Sequence, residues 1–454
     1  MINRIFRNTL AVAVLLFVGC DGLLDISPQQ SINSDIATNS PENLQSVLIG
    51  GYDALSDDDI FGGEIYFNAA LLADDDTNSE ITFTGTFSSP QEVYAKAMQV
   101  TNGQAFQTWA QGYFAINQVN TVLANIETFD EADRDQKRGE ALLIRGSVYF
   151  ELAKMYAPPY SAGSTSTAPG VPIVLTPDNF ELVSRSTLEE TYQQVLDDLT
   201  EARDLLSTSN GVLGTSHVAN AILSRVYLQM GDYEAAATAA NAVIESGDFM
   251  LTTDFADAFN NSENSTEDVF AMQVSEQDGA HALNTYFGSS AAGGRGDVSV
   301  TPAHLAEYEA GDARASFFYN DVDGDASTPL RTTKWQNQFA NIPVIRLAEM
   351  YLTRAEGNLR SGAAQVGPAT PLEDVNMIRS RAGLADLGTV AVADVLQERK
   401  LELAFEGQLL NDLKRNQMDV GSYSYDAPDL VFPIPQAEID VNSNLTQNAG
   451  YTGE

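Results

Sequence analysis

The stretch from Val218 to Gly247 carries two apolar stripes of helical period with only Gly231-Asp232 between them. Ala219, Ile222, Val226 and Met230 recur at spacings of three and four, which places them on one helix face; Ala236, Ala240 and Val243 form a second stripe beyond the turn. Alanines on the second stripe let the two helices lie close together in antiparallel order. A pair of short helices cannot bury such faces alone, so the rest of the chain must supply neighbours. Three further helices are predicted. Leu188 to Leu206 aligns Leu188, Tyr192, Val195, Leu199, Ala202 and Leu206, with Ser186 and Glu189 spaced as a capping box. Ala141, Ile144, Val148, Leu152 and Met155 mark a second, which Pro158-Pro159 ends. Val344, Leu347, Tyr351 and Ala355 mark a third, with Pro343 in its first turn.

The Val218–Gly247 unit resembles a tetratricopeptide helix pair, with its turn at Gly231 to Tyr233 and alanines at 236 and 240. More diverged pairs are read at 101–127 with 138–156 and at 343–361 with 371–381. The expectation is a mainly α chain of about four tetratricopeptide-like hairpins, the scaffold lying mainly in 40–250 and 343–420; an ordinary helical bundle is the alternative. Residues 251–342 differ, being rich in Gly, Asn, Asp and Ser without sustained period, and read as loops with short strands packed on one side of the helices. Tyr286, Phe287, Phe317, Phe318, Tyr319 and Trp335 are too many aromatics for a solvated linker. Ordered loops of this length are usually functional.

Near the N-terminus, Arg4 and Arg7 precede an apolar run from Leu10 to Val18, followed by Gly19 and Cys20. About nine apolar residues rise about 14 Å as a helix, half of a hydrocarbon core, so residues 1–19 read as a cleavable signal and not as a membrane span. Cys20 is the chain's only cysteine, which excludes a disulfide framework. A small residue directly before it resembles a bacterial lipobox, and acylation of Cys20 would explain the lone thiol. The mature part, 20–454, is read as a single domain with a closing segment at 421–454.

Sixty-three acidic residues against 24 basic ones give a net charge of −39, which argues against nucleic acid and disfavours anionic ligands. Only Lys96, Lys137, Lys154, Lys334, Lys400 and Lys414 are lysines, the other basic residues being arginines. Such a carboxylate excess fits a saline habitat, where at about 1 M salt the screening length is about 3 Å, or selection for solubility.

Sequence signals for catalysis are few. His217, His281 and His304 show no metal-ligand spacing, and no serine or cysteine nucleophile motif is present. Gly293-Gly294-Arg295-Gly296 lacks the Lys and Ser/Thr of a phosphate loop, and the Arg295-Gly296-Asp297 tripeptide reads as a turn. Asp321, Asp323 and Asp325 with Gly324 form part of a calcium-loop pattern without its closing glutamate.

The C-terminal third carries a family resemblance. Glu398-Arg399-Lys400-Leu401-Glu402-Leu403-Ala404-Phe405-Glu406-Gly407, then Asp412-Leu413-Lys414-Arg415, resembles the E-R-x-x-E-L-x-F-E-G…D-L-x-R segment of the SusD/RagB family. Phe432-Pro433-Ile434-Pro435, Glu438-Ile439-Asp440, and Asn444 to Asn448 with Gly450-Tyr451 resemble its closing motif, and Leu24-Asp25 with Pro28 its start. Leu409 and Leu410 stand where Arg and an aromatic are usual, and Ala449 where Pro is. Glu398, Glu402 and Glu406 with Arg399 are read as one helix face with a structural role in local ion pairs.

The resemblance implies a lipid-anchored outer-membrane protein that binds glycan without catalysis and delivers it to a SusC-like TonB-dependent transporter, with no cofactor unless calcium. A peptide-binding member of the family, or a scaffold that holds a protein partner, are the alternatives. A glycan site needs aromatic platforms beside amides and carboxylates. On that ground Trp335 with Gln336 and Asn337, Asn284 near Tyr286 and Phe287, and Phe83 and Phe87 after Asn78 are the candidate ligand contacts.

Overall fold

The computed structural model describes residues 37–74, 80–177, 181–322, 325 and 327–451. Cys20, Asn78 and Asp323 lie outside them.

Helices α1 (Pro41–Ser56) and α4 (Gly103–Ala124) pack as one pair, α5 (Arg134–Tyr156) and α6 (Leu188–Leu205) as a second, α7 (Ser216–Met230) and α8 (Tyr233–Ile244) as a third, and α11 (Leu347–Arg360) and α12 (Pro371–Arg381) as a fourth. Successive pairs also touch, α4 on α5, α6 on α7 and α8 on α11, so the helices form a continuous stack of four hairpins. The chain is mainly α, as expected. No helix among the described residues is long and apolar enough to cross a membrane.

Local chemistry sets the helix ends. Gly231 takes φ 76° at the end of α7, and Asp232 caps α8 by accepting from Ala235 N at 3.1 Å. The capping box of α6 is Thr187 with Glu190, one residue beyond the expected Ser186 and Glu189, because Thr187 is the residue whose extended backbone directly precedes the first turn. Close approach of α8 and α11 depends on Gly357, where a Cβ would stand 2.5 Å from Tyr233 O.

The helix expected from Val344 begins three residues later. Ile342–Arg346 is instead β6, an antiparallel partner of β2 (Asp268–Met272), and Pro343 lies within it. Both strands are buried at every position, which explains why their apolar runs carry no alternation. A second, antiparallel sheet has the order β1 (Ile81–Phe83), β3 (Val298–Val300), β5 (Leu330–Thr332), β4 (Phe318–Asn320). Thus a strand from the expected helical scaffold closes a sheet made by the loop-rich portion.

Buried arginines bridge successive layers. Arg145 of α5 clasps Asp198 of α6 through two bonds of 2.8 and 2.7 Å and reaches Asn120 of α4. Arg225 of α7 grips Glu349 of α11, Arg354 of α11 grips Asp374 of α12, and Arg415 of α14 (Leu409–Arg415) grips Glu356 of α11. The densest cluster surrounds fully buried Arg346, which donates to Glu267 at 2.6 Å, Glu402 at 2.9 Å and Glu406 at 2.8 Å. Arg314, Arg381 and Lys334 complete it.

This corrects the reading of the motif helix, α13 (Val392–Glu402). It ends at Glu402, Phe405 has φ 64°, and Glu406 lies beyond the helix, so the three glutamates do not share one face. Their partners are distant in sequence, Arg314, Arg346, Arg381 and Lys334, while Arg399 turns to Asp412 at 3.0 Å.

Its arginine neighbours hold the Glu402 carboxyl far below the usual carboxylate range despite burial. A depressed carboxylate contributes stability that is present above its unfolded pKa, about 4.3, and lost as pH falls toward the folded value. Glu402→Gln is expected to cost about 3–5 kcal/mol at pH 7 by leaving buried arginines uncompensated. In urea titrations its deficit relative to wild type should narrow as pH falls from 5 to 2; a constant deficit would refute the assignment.

Candidate ligand-binding face

The second short helix, α2 (Glu64–Ala73), begins after a tight turn in which Ile60 N and Gly62 N both donate to Asp57 O. Gly63 ends that turn at φ 136°, and a Cβ there would stand 2.8 Å from Leu283 N. Only glycine allows the turn to sit so closely against α9 (Ala282–Phe287). Asp58 fixes the contact by accepting from Ala282 N at 3.1 Å.

Glu64, the first residue of α2, accepts from the Tyr286 hydroxyl at 3.0 Å and from Gln104 Nε2 at 2.9 Å. Burial, then the charges of Glu64 and Asp57, push the half-buried Asp59 carboxyl up to about 8, and it shares a hydrogen bond with Glu64. Burial also raises Glu64. The Asp59–Glu64 pair therefore retains a proton into the neutral range. Three chain segments, at residues 57–64, 104 and 286, thus join hydroxyl, amide and carboxyl groups in one hydrogen-bonded cluster.

Beneath them lies an aromatic floor. Tyr286 stacks on Phe67 at 3.8 Å with rings 6° from parallel, while Phe83 at 5.8 Å and Phe287 at 6.4 Å flank the same ring. Beside Tyr286, Arg295 lies over Phe87 at 4.1 Å and pairs with Asp297 at 2.8 Å. Phe87 precedes α3 (Ser88–Tyr94) and is 56% exposed. It is the one exposed aromatic among the expected ligand contacts.

The structure brings the other aromatic candidates together but buries them. Trp335, 2% exposed, packs edge-on against Phe259 and His281. Tyr286, Phe287 and Phe83 belong to the floor, Phe83 within β1 and not in a loop. Fully buried Asn284 donates to Trp335 O at 2.8 Å and Gln336 O at 3.1 Å, tying two loops. Half-buried Asn337 is bonded to Asn260. Packing therefore takes the faces that a ligand would need, and of the expected aromatics Phe87 alone stands open. Glu64, Asp59, Gln104 and Arg295 were not singled out from sequence; the short-range signal was the Asp57-Asp58-Asp59 run before a double glycine.

Of the calcium-loop pattern, Asp321 and Asp325 are described and Asp323 is not. Both oxygens of Asp321 accept from Arg331, at 2.9 and 2.8 Å, and Asp325 caps its own turn through Ser327. Among the described residues no cluster of three or more His, Cys, Asp or Glu could hold a metal ion.

Two family models match the chain, one described as "Starch-binding associating with outer membrane" over residues 23–228 and one as the SusD family over residues 318–430. The chain belongs to the SusD/RagB family. It is 24% identical to SusD-like protein P2 of Formosa agariphila over 98% of this chain and 99% of that one. It is 32% identical to the starch-binding protein SusD of Bacteroides thetaiotaomicron, over 27% of this chain and 26% of that one. Among solved structures, a SusD superfamily protein of Bacteroides vulgatus superposes with TM-score 0.80 at 21% identity, covering 91% of this chain and 100% of that one. A SusD-like carbohydrate binding protein of the same species gives 0.75 at 21%, covering 90% and 97%.

A carboxyl whose folded pKa is raised binds a proton that the unfolded chain releases from about pH 4 upward, so it costs stability progressively up to its folded pKa. Asp59→Asn removes that cost. Its melting temperature is expected to gain on wild type as pH rises from 5 to 8 and to keep a level advantage above 8; an advantage independent of pH would show that the pair does not hold the proton.

Proposed function

We propose that the chain binds a neutral glycan at the bacterial surface, without catalysis, and passes it to a SusC-like TonB-dependent transporter in the outer membrane. The observation that carries the reading is the exposed Phe87 ring, stacked by Arg295, whose charge acts on the Tyr286 hydroxyl that is bonded to Glu64. A sugar ring offers a C–H face to an aromatic and hydroxyls to neighbouring carboxyls and amides. Arg295, the cation of this face, is engaged by Asp297 and stacked on Phe87, so it is not free to neutralise a sulfate or uronate. The net charge of −39 acts in the same direction.

Membership of the SusD/RagB family supports surface binding, and the model matched over 23–228 is described by starch binding and association with the outer membrane. The Arg4–Cys20 leader supports export and tethering by a lipid on Cys20, facing the exterior. Binding, not turnover, fits a face whose raised carboxyls are bonded to one another, to Tyr286 and to Gln104.

Affinity electrophoresis against starch, fructan, other neutral polysaccharides, sulfated polysaccharides and peptides tests the reading. At least one neutral glycan should retard the protein, sulfated ones should not, and Phe87→Ala should weaken retention about tenfold, as loss of one stacking platform implies. Retention by peptides alone, or release of shortened sugars from the bound glycan, would overturn it. Copurification from membranes with the product of an adjacent transporter gene tests the partner, and its absence after gentle detergent extraction would count against delivery.

A further inference from the structure

A cavity of about 370 Å³ lies between the loop that joins α6 to α7, residues Asp248 and Phe249 after α8, and β2, and it shares no residue with the face described above. Val212 and Leu213 of the loop, Phe249, and the four consecutive residues Asp268 to Ala271 of β2 are among its walls. Its volume suits one small molecule and not a length of polymer.

One polar group of this cavity is out of balance. Asp268 is 6% exposed; its Oδ2 accepts from Ser265 N at 2.7 Å, while its Oδ1 has no hydrogen-bond partner within the chain. A buried carboxylate oxygen without a donor is costly. Arg346 stands opposite Asp268 on β6, but its donors are spent on Glu267, Glu402 and Glu406. Burial accordingly pushes the Asp268 carboxyl up to about 6, against the lowering by Ser265 and by the Arg346 charge. His217 Nε2 is paired at 2.9 Å with Asp248, the other carboxylate of the cavity, and so does not compensate Asp268.

These groups decide what the cavity can take. No Lys or Arg lines it, so an anion would meet only like charge. Among the described residues no cluster of three or more His, Cys, Asp or Glu could hold a metal ion. A neutral hydroxyl would bond Oδ1 without neutralising it, whereas an ammonium does both, as a compact charge with three donors. The net charge of −39 draws cations toward the chain.

We propose that this cavity binds a small primary amine in its ammonium form, which donates to Oδ1 of Asp268 and lays its carbon skeleton against Val212, Leu213 and Phe249. Amino sugars and the free amino end of short peptides both carry this group. The site stands independently of the glycan reading, because it rests on other residues.

Saturation-transfer NMR titrations on the full chain near neutral pH test the proposal by comparing glucosamine with N-acetylglucosamine and glycinamide with N-acetylglycinamide. Acetylation removes the charge and keeps the rest of each molecule. At least one free amine should bind wild type about tenfold or more tightly than its acetylated partner, and the tighter amine names the source, sugar or peptide. Asp268→Asn, which keeps an acceptor for Ser265 N, should weaken that binding about tenfold. Val212→Arg sets a competing cation at a loop position that is 47% exposed, where folding is not at stake, and should weaken it as much, with unchanged circular dichroism. If Asp268→Asn misfolds, Val212→Arg decides alone. No binding of either amine, acetylated partners that bind as tightly, or amine binding that a folded variant leaves unchanged, as diffuse attraction to an acidic surface would give, would each overturn the site.

Discussion

Arg346 is the point on which the two halves of the structure turn. Its guanidinium has no exposure and meets three carboxylates from different places, Glu267 just before β2, Glu402 at the end of α13 and Glu406 beyond it. Taking these charges out of water is costly, and the cluster persists only because every charge has opposite neighbours and directed hydrogen bonds. The requirement fixes more than the local geometry. β6, which carries Arg346, leads straight into α11 of the helical stack, while Lys334 in the same cluster follows β5 of the loop-rich sheet. Helices and loops are therefore held in one arrangement by a shared set of charges.

The same requirement explains the choice of cation. A carboxylate gripped by two parallel N–H donors needs a planar fork, which Arg has and Lys lacks. The bidentate bridges at Arg145, Arg225, Arg354 and Arg415 use this geometry to join pairs of helices. Lysines serve another task in the interior: Lys334 and Lys414 donate to backbone carbonyls of Ala404 and Leu430, ends that a fork would not fit. So many cations are consumed inside that the excess of carboxylates falls to the outside. Because each cation of the Arg346 cluster takes a carboxylate with it, this pairing does not itself produce the net charge of −39.

How far the sequence reveals this depends on which faces the elements expose. α6 and the α7–α8 pair were legible because one side of each meets water, leaving a stripe of period 3.6. α2 was not, because eight of its ten residues are buried and no polar face interrupts the run. β6 was read as helix for the same reason. Candidate ligand contacts suffered from a different loss of information. Aromatics in 251–342 marked the correct neighbourhood, since Tyr286 lies at the candidate face, but sequence does not say which side of a ring is covered. Trp335 is covered by Phe259 and His281, whereas Phe87, one aromatic among many in sequence, stays open. Gln104 and Glu64 meet only because α4 and α2 do, a relation without any short-range signature.

Rigidity beneath the candidate face follows from these supports and bears on how it can bind. Phe67 lies one turn along α2 from Glu64, so the helix that offers a carboxyl to the surface also supplies the ring under Tyr286. The turn before it is held to α9 by Asp58 and Gly63, and Asn284 within α9 ties down the loop that follows β5. Arg331 reaches from β5 to the carbonyl of Gly296 at 2.9 Å, which steadies the segment carrying Arg295. Groups fixed in this way lose little freedom when a ligand arrives, so a few hydrogen bonds and one stacking contact can suffice for useful affinity. A flexible polysaccharide, by contrast, must give up freedom at every residue it places. On the proposed glycan reading, a short preorganised face suits capture followed by release better than a long cleft would.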